Sequence, residues 1–293
     1  MRSEKEMFDL ILEFAHAEER VRAVILDGSR ADPQAPRDEL QDYDIVYVVS
    51  DMQSFMDNPG WIDIFGERMI LQLPDDMGDV ENKHPIGYAY LMQFMDGTRI
   101  DLTLYPADKI AEAEVTSYCY ALLDKDGILP GEKFRDASHY LPTPPTAKEF
   151  ADCCNEFWWV SPYVAKGLAR DEIIYAKHMH EIVREELAKM LTWYIGVRTG
   201  FRENPGKYGK RWRKLLEPEL WELLLQTYAD ATLEGTWKAL FSTCDLFRLT
   251  APVVAAEFGL TYPGQEDERV YAYLEYLHKR GLVPQTWNDE ELR

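Results

Sequence analysis

Asp42 and Asp44 stand one residue apart at the start of the apolar run Tyr43 to Val49. Residues i and i+2 of a strand share a face, about 6–7 Å apart. Two carboxylates so placed repel each other unless a positive charge relieves them. A hard divalent cation does this well, and Mg²⁺ favours a few carboxylates plus water and phosphate oxygens. Gly28-Ser29 closes an earlier short run, Val21 to Leu26. A glycine at such a turn lets backbone approach a phosphate, with the Ser29 hydroxyl and nearby N–H groups as donors. A third acid, Asp101, lies inside the alternating run Thr98 to Leu104. There Ile100, Leu102 and Leu104 take one face, and Arg99, Asp101 and Thr103 the other. A mid-strand carboxylate costs stability unless it is exposed or partnered. Each piece has a plain reading: a turn, a solvated acid pair, a solvent-facing aspartate. Together, in strand–turn–strand context, they describe a site for a divalent cation and a polyphosphate.

These residues need a sheet to hold them. Residues 3–19 carry Met7, Leu10, Ile11, Phe14 and Ala15 at helical spacing, which predicts an amphipathic helix. Strands are expected at Val21–Leu26, Tyr43–Val49, Arg68–Leu73, Tyr88–Met95, Thr98–Tyr105 and Cys119–Leu123. Asp96-Gly97 between the fourth and fifth is a strong hairpin signal. Prolines at 142, 144 and 145 forbid helix and favour an extended connector. Beyond them the periodicity becomes helical, over 146–169, 171–199, 212–229, 231–258 and 266–281. The expected fold class is α+β: a domain at 1–145 with a mixed β-sheet, then an α-helical bundle at 146–293.

The charge balance narrows the partners. With 32 basic and 52 acidic residues in 293, the net charge is −20. Such a chain is a poor general nucleic-acid binder, since that affinity comes from neutralising phosphates, and a poor binder of anionic lipid. Residues 1–145 carry 13 basic against 29 acidic side chains, so the second half holds the denser supply of cations. Cys119, Cys153, Cys154 and Cys244 show no metal or disulfide spacing and read as reduced thiols, mostly buried. No signal peptide is expected from the N-terminus, and no membrane span from any apolar run. A soluble cytoplasmic protein is the expectation.

The same residues resemble a known family. Gly28-Ser29, Asp42-x-Asp44 and a later strand Asp form the signature of the polymerase-β-like nucleotidyltransferase superfamily. Leu26-Asp-Gly-Ser-Arg-Ala31 and Gln41-Asp-Tyr-Asp-Ile-Val-Tyr-Val-Val49 are similar to the aminoglycoside 6-adenylyltransferases, the streptomycin-modifying enzymes. So are His84-Pro-Ile-Gly-Tyr88, Phe94-Met-Asp-Gly-Thr-Arg-Ile-Asp-Leu-Thr103, and Phe157-Trp-Trp-Val-Ser-Pro-Tyr-Val-Ala-Lys-Gly-Leu168. Lys189-Met-Leu-Thr-Trp-Tyr-Ile-Gly196 and Gly206-Lys207-x-x-Lys210 carry the likeness across nearly the whole chain.

The resemblance implies transfer of AMP from ATP to a hydroxyl of streptomycin with Mg²⁺, releasing pyrophosphate. It implies that Asp42 and Asp44 hold metal, and that Asp101 touches a metal, accepts the hydroxyl proton, or both. For ATP, the residues suggest Gly28 and Ser29, then Lys166 with Arg170 one helical turn on, then Lys207 in a basic run. A solvated-face reading stands beside each of these cations. A cationic aminoglycoside calls for carboxylates and aromatic faces; Asp79, Glu81, Glu156, Trp158, Trp159 and Tyr163 are available, with no decisive spacing. His84, His178 and His180 read as structural. The expected chain is a monomer with a small-molecule partner. Two other readings stay open: nucleotidyl transfer to another acceptor (a different aminoglycoside, a lincosamide or a protein hydroxyl), and a non-catalytic nucleotide-binding module on the same fold.

Overall fold

A computed structural model describes residues 1–33, 35–78, 86–113, 118–129 and 141–283. Asp79, Glu81 and His84 therefore lie outside the described residues. The chain divides into two compact units, Met1–His139 and Tyr140–Arg293.

The first unit opens with helix α1 (Glu4–Ala17), started by a capping box in which Ser3 and Glu6 satisfy each other's backbone donors. Its apolar stripe of Met7, Ile11 and Ala15 is buried against the sheet. The sheet has six strands: β1 (Val21–Asp27), β2 (Tyr43–Val49), β3 (Arg68–Gln72), β4 (Tyr88–Phe94), β5 (Arg99–Pro106) and β6 (Tyr120–Asp124). Their order is β3-β4-β5-β2-β1-β6, with β2 and β5 parallel and the other neighbours antiparallel. The mixed sheet follows the expected strands to within a residue or two. A short helix α2 (Met52–Asp57) follows β2. The hairpin at Asp96-Gly97 is present, with Gly97 at φ +87°, a conformation that glycine adopts without steric cost. On β5, Ile100, Leu102 and Leu104 are buried while Arg99, Asp101 and Thr103 face the half-exposed side.

The second unit is helical: α3 (Ala147–Ala169), α4 (Ile173–Thr199), α5 (Trp212–Leu215), α6 (Pro218–Gln226), α7 (Leu233–Phe258) and α8 (Gly264–Arg280). Thr146 and Glu149 form the capping box of α3. Helices α4 and α7 both end at left-handed glycines, Gly200 and Gly259. The single helix expected over 212–229 is in fact two. Pro218 has no N–H to continue the ladder and starts α6 at its first position, with Glu217 before it in extended conformation.

One expectation about apolar runs is corrected. Helix α7 contains an 18-residue window of mean hydropathy 1.3, long and apolar enough to cross a membrane. That window is 56% buried, and Trp237, Leu240, Phe247, Ala251 and Val254 belong to the core of the helical unit. All four cysteines are buried, as expected.

Candidate active site

The site in the first unit is built where three strands put acids at adjacent register positions. Asp44 on β2 lies opposite Asp101 on the parallel strand β5 and opposite Asp27 on the antiparallel strand β1. Asp42 precedes β2 by one residue. Burial raises the Asp44 carboxyl to about 7, helped by the charges of Asp101, Asp27 and Asp42 and opposed by Arg99. Burial also pushes Asp27 upward, against a hydrogen bond from the Gly28 N–H. This is a surplus of negative charge in a half-buried place, the environment that a hard cation relieves.

Gly28 makes the approach possible. It sits at φ +71°, and a Cβ there would fall on the Asp44 Oδ2 atom. Only a residue without a side chain fits beside that carboxylate. Gly28–Arg30 forms one turn of 3₁₀-helix capped by the Asp27 side chain. Ser29 is exposed on this turn, and its carbonyl and Oγ accept from Gln41 Nε2 at 3.2 and 3.4 Å. Arg30, only 4% exposed, ties the turn to the approach to β2. It donates to the Asp42 carbonyl at 3.0 Å, the Gln41 carbonyl at 2.8 Å and Glu4 Oε2 on α1 at 2.7 Å, with its guanidinium 3.8 Å over the Tyr43 ring. The buried arginine thus fixes the strand entry that carries Asp42 and Asp44.

Asp101 has a partner on its own strand. Arg99 Nε and an Nη donate to its two carboxylate oxygens, both at 2.7 Å, and Arg99 Nε lies 3.7 Å from Asp42. Among the described residues, no three metal-ligating side chains converge in this arrangement. The donor chemistry of Asp42, Asp44 and Asp101, carboxylate oxygens only, is of the kind that a hard divalent cation prefers.

The structure thus brings Gly28, Ser29, Asp42, Asp44 and Asp101 together in the first unit. Arg30, Arg99 and Asp27 join them, although sequence reasoning gave them no role. Arg99 was legible as sharing a face with Asp101. Asp27 reads as a strand end, and the burial of Arg30 depends on Glu4, far away in sequence.

The expected cations Lys166, Arg170 and Lys207 belong to the helical unit. Lys166 is in the last turn of α3, with its Nζ 5.6 Å from the Tyr163 ring centroid. Arg170 is the C-cap of that helix, one turn on, and its N–H closes onto the Lys166 and Gly167 carbonyls. Lys207 is exposed in a one-turn segment after Gly206, with its Nζ 5.6 Å from the Tyr208 ring centroid. Trp158 is buried in the helical core and Trp159 is exposed. His180 is buried, bonds Thr243 Oγ1 at 2.9 Å and is held neutral by burial, its pKa lowered to about 3, which makes it structural.

Comparison with known proteins shows the family. The family model for streptomycin adenylyltransferase matches residues 1–277. The chain is 40% identical over 281 residues to an aminoglycoside 6-adenylyltransferase of Bacillus subtilis (strain 168), covering 95% of this chain and 99% of that protein. It is 41% identical over 276 residues to the Campylobacter jejuni aminoglycoside 6-adenylyltransferase, covering 94% and 95%. For the Staphylococcus aureus aminoglycoside 6-adenylyltransferase the figures are 37% over 269 residues, 91% and 95%. A crystal structure of an aminoglycoside 6-adenyltransferase from Bacillus subtilis, 38% identical, superposes with a TM-score of 0.46 over 95% of this chain and 99% of that one. Family match and relatives agree: the chain belongs to the streptomycin adenylyltransferase family, and it is a nucleotidyltransferase.

Proposed function

We propose that this enzyme transfers AMP from ATP to a hydroxyl of an aminoglycoside, streptomycin being the preferred acceptor, and releases pyrophosphate. The observation that carries the reading is the pairing of Asp44 with Asp101 across parallel strands, beside Gly28 and Ser29. Asp42 and Asp44 would hold Mg²⁺, and Asp101 would either join them or face the acceptor. When bound, the cation neutralises phosphate charge and makes the α-phosphorus a better electrophile.

The chain's own groups do the rest. With the Gly28 N–H held by Asp27, the turn offers the Ser29 N–H and hydroxyl to the phosphates. Arg30 fixes that turn against β2, so the acids and the phosphate donors keep one geometry. Asp101 takes the proton from the acceptor hydroxyl as its oxygen bonds the α-phosphorus. The bond to the β-phosphate oxygen then breaks, and pyrophosphate leaves. Lys166, Arg170 and Lys207 are the candidates to balance the triphosphate charge. Glu156 and Trp159, both exposed on α3, suit a cationic sugar.

Incubation with ATP, Mg²⁺ and a panel of antibiotics tests the reading through pyrophosphate release. Release with streptomycin and none with a lincosamide or without acceptor is expected. No release with any aminoglycoside overturns it.

A further inference from the structure

The carboxylate cluster already contains a cation. Arg99 occupies both oxygens of Asp101 and lies beside Asp42, and the guanidinium is itself partly buried. Were Asp101 to join Asp42 and Asp44 in holding a divalent ion, that ion would need the oxygens that Arg99 now occupies. The two cations cannot both hold Asp101 in this way. A guanidinium that leaves a carboxylate keeps a rigid fork of donors, which matches a phosphate equally well.

We propose that Arg99 is a positioning residue that exchanges partners during the reaction cycle. In the metal-free enzyme it holds Asp101 in place and offsets the acid cluster. When a divalent cation binds, Arg99 releases Asp101 and turns to a phosphate oxygen of the nucleotide. The inference rests on the proposed nucleotidyl-transfer site.

The exchange has a consequence opposite to that of an ordinary supporting residue. Removing Arg99 removes a competitor for the metal while removing a donor for the nucleotide. Calorimetric titration of the full chain with Mn²⁺ alone is the primary test, comparing wild type with Arg99→Met, Arg99→Lys and Asp101→Asn. Arg99→Met should bind Mn²⁺ about three- to tenfold more tightly than wild type, the gain expected from losing one partly exposed bidentate pair. Arg99→Lys, which keeps the charge without the fork, should fall between the two. Asp101→Asn should bind more weakly.

The second titration uses a non-hydrolysable ATP analogue at saturating Mn²⁺, where Arg99→Met should bind about tenfold more weakly. Unchanged or weaker Mn²⁺ binding in Arg99→Met overturns the competition. Unchanged analogue binding overturns the transfer to phosphate. Should Arg99→Met fail to fold, wild-type-like Mn²⁺ affinity in Arg99→Lys overturns the competition instead. Wild-type protein that takes up no Mn²⁺ with or without the analogue refutes the proposed metal site itself. That result is distinguishable from a wild type that binds metal normally while the variants match it.

Discussion

Replacing Asp44 by Asn should make the metal-free protein more stable, and the gain should depend on pH. The Asp44 carboxyl rises from an ordinary 3.8 to about 7 because it is buried beside Asp101, Asp27 and Asp42. Folding therefore favours its protonated form. The stability tied to that proton is fully present below pH 3.8, declines as pH rises, and is gone above about 7. At about 1.36 kcal/mol per tenfold, the ceiling is about 4 kcal/mol. Screening at the open rim reduces this to about 1–3 kcal/mol. Asparagine has nearly the same shape, keeps the contact with Gly28 and carries no charge. Its advantage should therefore be small at pH 4.5 and largest at pH 8, where a Tm rise of about 2–10 °C is expected. Thermal unfolding in chelator, wild type against Asp44→Asn at the two pH values, measures it directly. The same variant should have no turnover, because a neutral amide replaces a carboxylate proposed to hold the metal. Equal Tm values at pH 8, or a gain that is the same at pH 4.5, would refute the reasoning that the acids repel one another across β2 and β5.

Other outcomes follow from the same geometry. Gly28→Ala should lose about 2–4 kcal/mol in denaturant unfolding and nearly all turnover, since it combines a left-handed backbone with a Cβ placed on Asp44. Arg30→Ala should cost about 2–4 kcal/mol, because it orphans the Gln41 and Asp42 carbonyls and empties a buried site; wild-type stability would show that Arg30 does not hold the entry to β2. Lys166→Ala should raise the KM for ATP about tenfold with little change in kcat, if the helical unit supplies a charge to the triphosphate. Steady-state kinetics with varied ATP decide this, and unchanged constants would leave Lys166 a solvated helix charge.

Much of this site is local in sequence and was legible there. The Asp42-x-Asp44 spacing, the Gly28 turn and the alternation around Asp101 each follow from the period of a strand, and the strands lie where the apolar runs place them. The boundary at Pro218 was equally local, but helical periodicity carried across it hides the break. What stayed hidden depends on distant residues. Arg30 is buried because Glu4 and the Tyr43 ring meet it, and neither is its neighbour in sequence. The register that sets Asp27 opposite Asp44 comes from strand pairing, which no short window encodes. The pairing of Arg99 with Asp101 lies between these cases. Their shared face was visible, but which partner the guanidinium takes is decided by the charge of the whole cluster.

The most direct test of the proposed chemistry follows the label of ATP. Wild-type enzyme, Mg²⁺ and streptomycin are incubated with ATP labelled at either the α- or the γ-phosphate, and the purified antibiotic is counted. Attack at the α-phosphorus with pyrophosphate as leaving group predicts α-label on streptomycin, γ-label only in pyrophosphate, and neither transfer with Asp44→Asn. Label from the γ-phosphate on the antibiotic, or α-label transferred undiminished by Asp44→Asn, would contradict the account.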